Sequence, residues 1–300
     1  MAYSLFETAE LGPLISKNRT VRSATNEHLS DPSGQITPAW VDSLEALARG
    51  GVGIIITGHL SVDRDQRADE GQAVLDQETD PALLSLAAQR VHQHGALLIA
   101  QISHSGGKAR PGVNGRPPLS PGDLTPQLLD RLVEQFRHAA RTAQMAGFDG
   151  VQVHCAHNYL LSSFLNLRWN HREDAYGGSL ENRSRLSVMV LQALREACGR
   201  EFILECRVSG SEHVPGGYSL EDICGYCRYL SEYADLIHVS AGLYQDPSGT
   251  WQESTLYEPH GCNADVAAAI RAAVDIPVAV VGGINSPEQA EELIAQGKCD

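Results

Sequence analysis

Two histidines and a tyrosine stand close together in the segment HCAHNY, directly after an apolar run that predicts a strand. His154 and His157 are three residues apart, and Tyr159 follows two residues later. Beyond a strand end this spacing can direct both imidazoles into one pocket, where they can donate hydrogen bonds to a single carbonyl oxygen. A phenol beside them can supply a proton. The same residues are compatible with a metal site or a merely polar strand end, although in a continuing strand Cys155 would point away from His154.

Two further polar residues close apolar runs elsewhere in the chain. Arg207 lies in ECRVS, where it is either an internal ion-pair residue or a ligand for negative charge, for example on a reduced cofactor. Gln101 closes LLIAQ. Its amide can donate to and accept from the edge of a heterocycle, although a glutamine at a strand end is more often structural. Neither residue by itself decides between its two interpretations.

Paired glycines and paired cysteines give weaker signals. Gly282 and Gly283 follow VAVV and precede a helix that begins with proline, so their backbone N–H groups could approach a phosphate closely. Cys224 and Cys227 form a CxxC inside a predicted helix, with no second CxxC in the chain. Because zinc and iron–sulfur sites need further ligands, we interpret this pair as core or surface cysteines and predict no metal site.

The elements that must position these residues alternate along the chain. Short β-branched runs, mostly continuous, are typical of strands buried on both faces of a parallel sheet. The predicted strands are 21–23, 52–57, 97–102, 150–154, 203–208, 236–240 and 278–282. The predicted helices are 38–49, 81–94, 126–146, 180–198, 220–232, 264–274 and 287–295. Four of these helices begin with Thr-Pro, Asp-Pro or Ser-Pro, which places a side-chain acceptor at the N-cap and proline in the first turn.

Seven βα units in succession imply a parallel sheet with right-handed crossovers. An open doubly wound sheet and a closed (β/α)₈ barrel share this pattern, but two features favour the barrel. Polar residues stand at the ends of many different strands, and no G-x-G-x-x-G follows the first strand. Because a barrel needs eight units, we expect residues 1–300 to form one barrel domain without its eighth unit, and the parent protein to continue. Long irregular stretches at 103–124 and 161–179 are expected to border the site.

Composition excludes several classes of protein. The 300 residues are 42% hydrophobic and 20% charged, which is typical of a globular chain with a sizeable core. The net charge of −14 argues against a nucleic-acid partner, because phosphate backbones repel an acidic chain. No apolar run approaches the ~20 residues of a membrane helix, and the N-terminus has no secretory signal. Seven cysteines are too sparse for a disulfide scaffold, so we expect a cytoplasmic protein without a membrane partner.

Six segments, taken together and in their order, resemble the Old Yellow Enzyme family of FMN-dependent NAD(P)H:flavin oxidoreductases. They are SKNRTVRSATNE, QISHSGGKA, DGVQVHCAHNYLLSSFLN, NHREDAYGGSLENRSRL, ECRVS and VAVVGGI. The resemblance extends from about Leu5 to about Lys298, and YGGSLENRSR is its most specific part. It implies a (β/α)₈ TIM barrel with FMN over the C-terminal ends of the strands, NADH or NADPH as reductant, and a small-molecule substrate.

Carried over position by position, the resemblance assigns a role to each candidate residue. The residues expected at FMN are Ser23, Ala24, Thr25, Asn26, His59, Gln101, Arg207, Gly242, Gly282 and Gly283. Among them, His59 stands where the family supplies a backbone contact, and Gly282 and Gly283 would begin the phosphate site. The residues expected at the substrate are His28, His154 and His157. Tyr159 would supply a proton, which makes Tyr159, His154 and His157 the expected catalytic residues.

The sequence departs from the family pattern at four points. Ala24-Thr25-Asn26 stands where Pro-Met followed by Thr or Cys is usual, so the redox tuning of the flavin edge is in doubt. Gly107 replaces a loop arginine, and His59 replaces a small residue. The eighth strand, with its phosphate-binding arginine, is absent from the 300 residues. Larger relatives carry an iron–sulfur cluster after the barrel, so we expect one here only if the protein extends beyond residue 300.

Three functions are compatible with these features. The first is reduction of the activated C=C bond of an α,β-unsaturated carbonyl compound, which the His154 and His157 pair favours. The second is oxidative demethylation of an N-methylated amine, for which an aromatic or acidic pocket would be expected. The third is an incomplete barrel that acts as a non-catalytic fragment. A homo-oligomer is compatible with each of them.

Overall fold

The computed structural model describes residues 4–243 and 258–300. In chain order, the strands are β1 (Ala9–Leu11), β2 (Leu14–Ser16), β3 (Val21–Arg22), β4 (Ile54–Ile56), β5 (Leu60–Ser61), β6 (Leu97–Ser103), β7 (Gly150–Cys155), β8 (Ile203–Ser209), β9 (Leu236–Ser240) and β10 (Val278–Val280). All strands from β3 to β10 are parallel; β3, β4, β6, β7, β8, β9 and β10 neighbour one another in that order, and β5 pairs with β6. The seven strands of this path form a nearly closed barrel, which confirms the predicted fold and the count of seven units.

Helices surround the barrel. They are α1 (Pro38–Arg49), α2 (Ala82–His92), α3 (Pro111–Asn114), α4 (Pro126–Met145), α5 (Leu160–Leu165), α6 (Leu180–Cys198), α7 (Leu220–Ser231), α8 (Ala264–Arg271) and α9 (Pro287–Ala295). The long helices bury one stripe each, as α4 does with Leu129, Leu132 and Phe136. The sequence did not predict α3 and α5, because helices of four and six residues are too short to show a helical period.

Three of the four expected proline-containing helix starts are confirmed. The hydroxyls of Thr37, Thr125 and Ser286 each accept a hydrogen bond from a backbone N–H three residues further on. The expectation for the fourth is wrong by one position, since Pro81 is itself the N-cap residue of α2 and Asp80 accepts from the Ala82 N–H. The side chain of Asp80 therefore still satisfies an N–H group of the first turn.

The two ends of the barrel have different surroundings. Inside its N-terminal end, a small apolar cluster consists of Leu11, Ile54, Ile56, Ile99, Ile203 and Leu236. The β1–β2 hairpin, which the sequence did not predict, covers this end by adding Leu11 and Leu14 to the cluster. The much larger core lies between the strands and the helices. Buried polar side chains appear from the middle of the strands onward, as with Gln152 in β7, Glu205 in β8 and His238 in β9.

The cysteines of the CxxC are part of the outer core. Cys224 and Cys227 are both buried on α7, and Cys155 packs in the same core. Within residues 4–243 and 258–300, no group of three or more His, Cys, Asp or Glu residues is arranged to hold a metal ion. A search of the same residues finds no helix with the length and apolarity needed to traverse a lipid bilayer.

Candidate active site

A pocket of about 300 Å³ opens at the C-terminal ends of the strands. It is lined by Ser23, Ala24, Thr25, Asn26, His28, His59, Asp69, Gln101, His154, His157, Tyr159, Arg207, Ser240, Asn263, Val281 and Gly282. All the predicted substrate and catalytic residues are in this set, together with eight of the ten predicted cofactor residues. The fold therefore brings together residues that are up to 259 positions apart in the chain, from Ser23 to Gly282.

His154 lies at the C-terminal end of strand β7 and lines the pocket. It is 4% exposed, and its Nδ1 accepts a hydrogen bond from the Ala156 N–H at 3.3 Å. Burial lowers the pKa of His154 well below its usual value, and His157 and Arg207 lower it further. The ring is neutral at neutral pH, and because Nδ1 accepts, the proton is on Nε2. His154 is therefore a hydrogen-bond donor through Nε2.

His157 lies in a turn after β7 whose backbone conformation differs from that of a strand. His157 and Asn158 both have φ values of +60°, a conformation that costs non-glycine residues on the order of 1–3 kcal/mol each. The turn is held by a 3.0 Å hydrogen bond from the His157 N–H to Ser209 Oγ. The ring centroids of His154 and His157 are consequently 5.1 Å apart, close enough for both imidazoles to contact one ligand atom.

The His157 ring is buried and neutral. Its Nε2 is 3.0 Å from Ser240 Oγ, while its Nδ1 is buried and has no hydrogen-bond partner within the described part of the chain. Burial, followed by the charge of Arg207, lowers its pKa well below the usual value. A buried nitrogen without a partner is costly unless a ligand satisfies it. His157 is thus the second candidate donor of the pocket.

Tyr159 completes the aromatic wall. It is 3% exposed, and its ring centroid lies 4.6 Å from that of His154 and 5.2 Å from that of His59. Helix α5 begins directly after it, so the tyrosine is fixed at a helix start. The phenol and the two imidazoles therefore come from six consecutive residues, with His154 at the end of β7, His157 in the turn and Tyr159 directly before α5.

Arg207 extends from strand β8 across the mouth of the barrel. Its Nη1 donates to the Ala24 carbonyl at 2.9 Å, and its Nη2 donates to Ser240 Oγ at 3.1 Å. The guanidinium is 6% exposed and lines the pocket. Its position beside neutral rings suits the binding of negative charge.

Below the pocket, four buried polar side chains form one hydrogen-bonded row across β6, β7, β8 and β9. Gln101 Nε2 donates to Gln152 Oε1, and Gln152 Nε2 donates to Glu205 Oε1 at 2.7 Å. His238 Nδ1 lies 3.0 Å from the same Glu205 oxygen. Each of the four residues is at most 2% exposed. Because the Glu205 carboxylate can only accept, it orients Gln152, which in turn orients the amide of Gln101.

The turn after β3 forms the opposite wall. Asn26 Nδ2 donates to Asp69 Oδ2 at 3.0 Å, and His28 Nδ1 lies 3.2 Å from Asp69 Oδ1. The side chain of His28 is 61% exposed, so it stands at the rim. Ser23 Oγ is buried without a hydrogen-bond partner among the residues described.

Two predicted residues lie apart from the pocket. Gly242 does not line it, and its carbonyl accepts from Ser209 Oγ at 3.0 Å. Gly283 lines instead a groove of about 1350 Å³ between β10 and β3, on the open side of the barrel. Gly282 borders both spaces, and a Cβ there would be 2.5 Å from Asn263 Nδ2. The phosphate role of the two paired glycines stays a prediction.

Sequence reasoning did not find Asp69 and Asn263. Asp69 lies in an irregular stretch after β5, where the sequence pattern does not mark it as a buried pocket residue. Asn263 precedes α8 and would be expected to cap it, yet its side chain makes no capping bond. It donates instead to the Val281 carbonyl at 2.6 Å, which ties α8 to the end of β10.

The polar groups of the pocket fit FMN. The Gln101 amide can pair with the edge of a heterocycle, and Arg207 can neutralise negative charge on its pyrimidine part. The unpartnered Ser23 Oγ and His157 Nδ1 are buried polar atoms that a ligand would satisfy. These observations agree with the roles that the resemblance implied, which stay predictions for each residue.

Curated relatives match the chain over nearly all its length. An NADH oxidase of Thermoanaerobacter brockii is 34% identical over 99% of this chain and 48% of its own length. A cinnamate reductase of Clostridium sporogenes is 28% identical over 99% of this chain and 50% of its own. The chain therefore spans about half the length of these relatives.

Solved structures share the architecture. An old yellow enzyme homologue from Zymomonas mobilis matches with a TM-score of 0.84 at 23% identity, over 99% of this chain and 87% of its own. Histamine dehydrogenase from Rhizobium sp. 4-9 matches with a TM-score of 0.84 at 26% identity, over 99% of this chain and 45% of its own. The family described as NADH:flavin oxidoreductase / NADH oxidase matches residues 4–300. The expected cofactors FMN and NAD(P)H are thereby confirmed at the level of the family. The chain belongs to the NADH:flavin oxidoreductase / NADH oxidase family.

Proposed function

We propose that the protein reduces the activated C=C bond of an α,β-unsaturated carbonyl compound with NADH or NADPH. The observation that carries the proposal is the pair of neutral, buried imidazoles of His154 and His157, with ring centroids 5.1 Å apart and the Tyr159 phenol beside them. The pair can hold one carbonyl oxygen, and the phenol can reach the same ligand. The relative named cinnamate reductase supports the proposal, because cinnamate has a C=C bond conjugated to a carboxylate.

Each residue has a defined task in this reaction. His154 and His157 donate to the substrate oxygen, and these hydrogen bonds strengthen as the oxygen gains negative charge in the transition state. FMN, held beside Gln101 and Arg207, would supply the hydride chemistry that links NAD(P)H to the β-carbon of the substrate. Tyr159 donates its phenolic proton to the α-carbon, which completes the saturated product. Because both imidazoles are neutral, they stabilise the enolate without giving up a proton to it.

Oxidation of an amine is the second candidate, and Asp69 is the observation that favours it. Its carboxylate lines the pocket and could pair with an ammonium group, and histamine dehydrogenase is among the structural neighbours. However, Asp69 already accepts from Asn26 and from the Gly71 N–H at 2.9 Å, and His28 Nδ1 lies 3.2 Å from it. A carboxylate with its acceptor sites occupied attracts a cation less, so ene-reduction is the better supported function.

Tyr159→Phe tests the proposal, because it keeps the ring and removes only the proton. We expect reduction of the bound flavin by NADPH to be unchanged, and its reoxidation by 2-cyclohexenone to slow about 10²–10⁴-fold. Stopped-flow absorbance of the holoprotein measures both half-reactions. Tyr229→Phe, on α7 outside the pocket, is the matched control and should change neither.

Two results would contradict the proposal. If Tyr159→Phe slows both half-reactions equally, the tyrosine shapes the pocket and donates no proton. If the wild-type holoprotein oxidises dimethylglycine but leaves 2-cyclohexenone unreduced, the amine reaction replaces ene-reduction.

A further inference from the structure

The side chain of His59 faces the same pocket as His154 and Tyr159. Its ring centroid is 6.1 Å from that of His154 and 5.2 Å from that of Tyr159. His59 lies between β4 and β5, whereas His154 and His157 lie at and after the end of β7. It therefore reaches the pocket from a different part of the barrel. Three imidazoles and one phenol therefore converge on one space, although one carbonyl oxygen needs only two donors.

A buried amide fixes the chemistry of the His59 ring. Gln72 is fully buried, and its Nε2 lies 3.0 Å from His59 Nδ1 and 3.1 Å from the His59 carbonyl. Its Oε1 accepts from the Ala68 N–H at 2.6 Å, which determines which way the amide points. An NH₂ group can only donate, so Nδ1 of His59 must accept.

The proton of the neutral His59 ring is therefore on Nε2. Ser103 Oγ, 3.1 Å from Nδ1, is compatible with this arrangement because a hydroxyl can donate as well as accept. Burial lowers the pKa of His59 to about 4; Asp69 opposes this effect, and Arg207 and His28 add to it. The ring is thus a neutral Nε2–H donor throughout the neutral pH range.

We propose that His59 is a specificity-determining residue of the pocket. Gln72 holds its ring in the Nε2–H form, which makes it a third hydrogen-bond donor to the substrate. The pocket therefore prefers a substrate whose acceptor group has two oxygens. This inference rests on the proposed function. A carbonyl oxygen has two lone pairs, which His154 and His157 occupy. A third N–H group needs a second acceptor atom, and a planar nitro or carboxylate group offers one beside the first. With a simple ketone, the His59 N–H would be left without that partner, at a cost in binding.

The tautomer is tested without any turnover. In the FMN-loaded protein labelled with ¹⁵N-histidine, we expect His59 Nδ1 to be unprotonated and Nε2 to be protonated from pH 6 to 8. In Gln72→Met the fixed donor is lost, and we expect a mixture of tautomers. A protonated Nδ1 in the wild type would overturn the proposal.

Specificity is tested with two probes on one scaffold, β-nitrostyrene with two acceptor oxygens and 4-phenylbut-3-en-2-one with one. We expect His59→Phe to lower kcat/KM for the nitro compound about 10- to 100-fold more than for the ketone. Because the comparison is a ratio within one variant, a general loss of folded protein or of FMN cancels. An equal loss for both probes would overturn the proposal.

An inert pair of ligands separates this inference from the proposed function. Nitrobenzene has two acceptor oxygens and acetophenone has one, and neither has a C=C bond that the proposed reaction would reduce. The binding of each to the holoprotein can be titrated through the flavin absorbance. If no C=C compound is reduced, the proposed function fails. Selective weakening of nitrobenzene binding in His59→Phe would still support the third donor, and equal weakening of both ligands would refute it.

Discussion

We expect His154→Ala and His157→Ala each to slow reoxidation of the reduced holoprotein by 2-cyclohexenone about 10²–10³-fold, or on the order of 2–4 kcal/mol of transition-state stabilisation. The physical reason is that each substitution removes one neutral donor aimed at the oxygen on which negative charge develops. The two losses are not expected to add, because the remaining donor and the substrate can shift once the first is gone. Stopped-flow measurement of the oxidative half-reaction gives the rates.

A histidine outside the site provides the control for these variants. His138 lies on α4, where its ring contacts Thr142 at 3.3 Å, and His138→Ala should leave the rate unchanged. FMN content and the rate of flavin reduction show whether each variant retains its site. Full activity in the double variant His154→Ala/His157→Ala would refute ene-reduction through these donors.

The second large effect concerns stability. We expect Glu205→Leu to lower the free energy of unfolding by about 1–3 kcal/mol, the cost of leaving a buried polar group without its hydrogen-bond acceptor. The substitution removes the oxygen that lies 2.7 Å from Gln152 Nε2 and 3.0 Å from His238 Nδ1, where both residues are 1% exposed or less. These two nitrogens are 3.3 Å apart, so a bond between them replaces only part of what is lost. Glu205→Gln should cost less, because an amide oxygen can still accept from Gln152. Urea-induced unfolding followed by circular dichroism measures both.

Glu201 is the matched control, since it is an exposed glutamate two residues before the same strand. Glu201→Leu should change the free energy of unfolding by no more than about 0.5 kcal/mol. Equal losses for Glu201→Leu and Glu205→Leu would show that the buried row contributes nothing specific. The experiment also tests the orientation of Gln101, because FMN affinity should fall in Glu205→Leu if the row positions that amide.

The sequence was sufficient to predict the βα order because the strands are continuous apolar runs and the helices begin at capping residues. The boundaries of α1, α6 and α9 agree with the prediction to the residue. The β1–β2 hairpin was missed because its strands have three residues each, too short for a periodic pattern. Helix α5 was missed because its six residues are all buried, so they show no alternation of apolar and polar residues with a helical period.

The site was predictable where a polar residue stands at the end of a predicted strand, as Gln101, His154 and Arg207 do. The resemblance supplied the grouping of these residues, and the fold confirms that they share one pocket. Contacts that depend on side-chain direction could not be predicted in this way. The tautomer of His59 depends on Gln72, and Gln72 is a residue in a loop whose importance appears only when the loop is folded against β6.

The buried imidazoles have a consequence for proton uptake on unfolding. The pKa values of His59 and His104 fall to about 4, and those of His154 and His157 fall well below the usual value, in each case mainly through burial. In the unfolded chain all four rings titrate near 6.5. Below that pH these rings bind protons in the unfolded state but stay neutral in the folded state. Their contribution therefore lowers the free energy of unfolding as the pH falls from 6.5 toward the folded-state pKa values. Four protons correspond to a slope of about 5 kcal/mol per pH unit around pH 5. The burial that keeps the donors of the site neutral therefore also makes the fold less stable in acid.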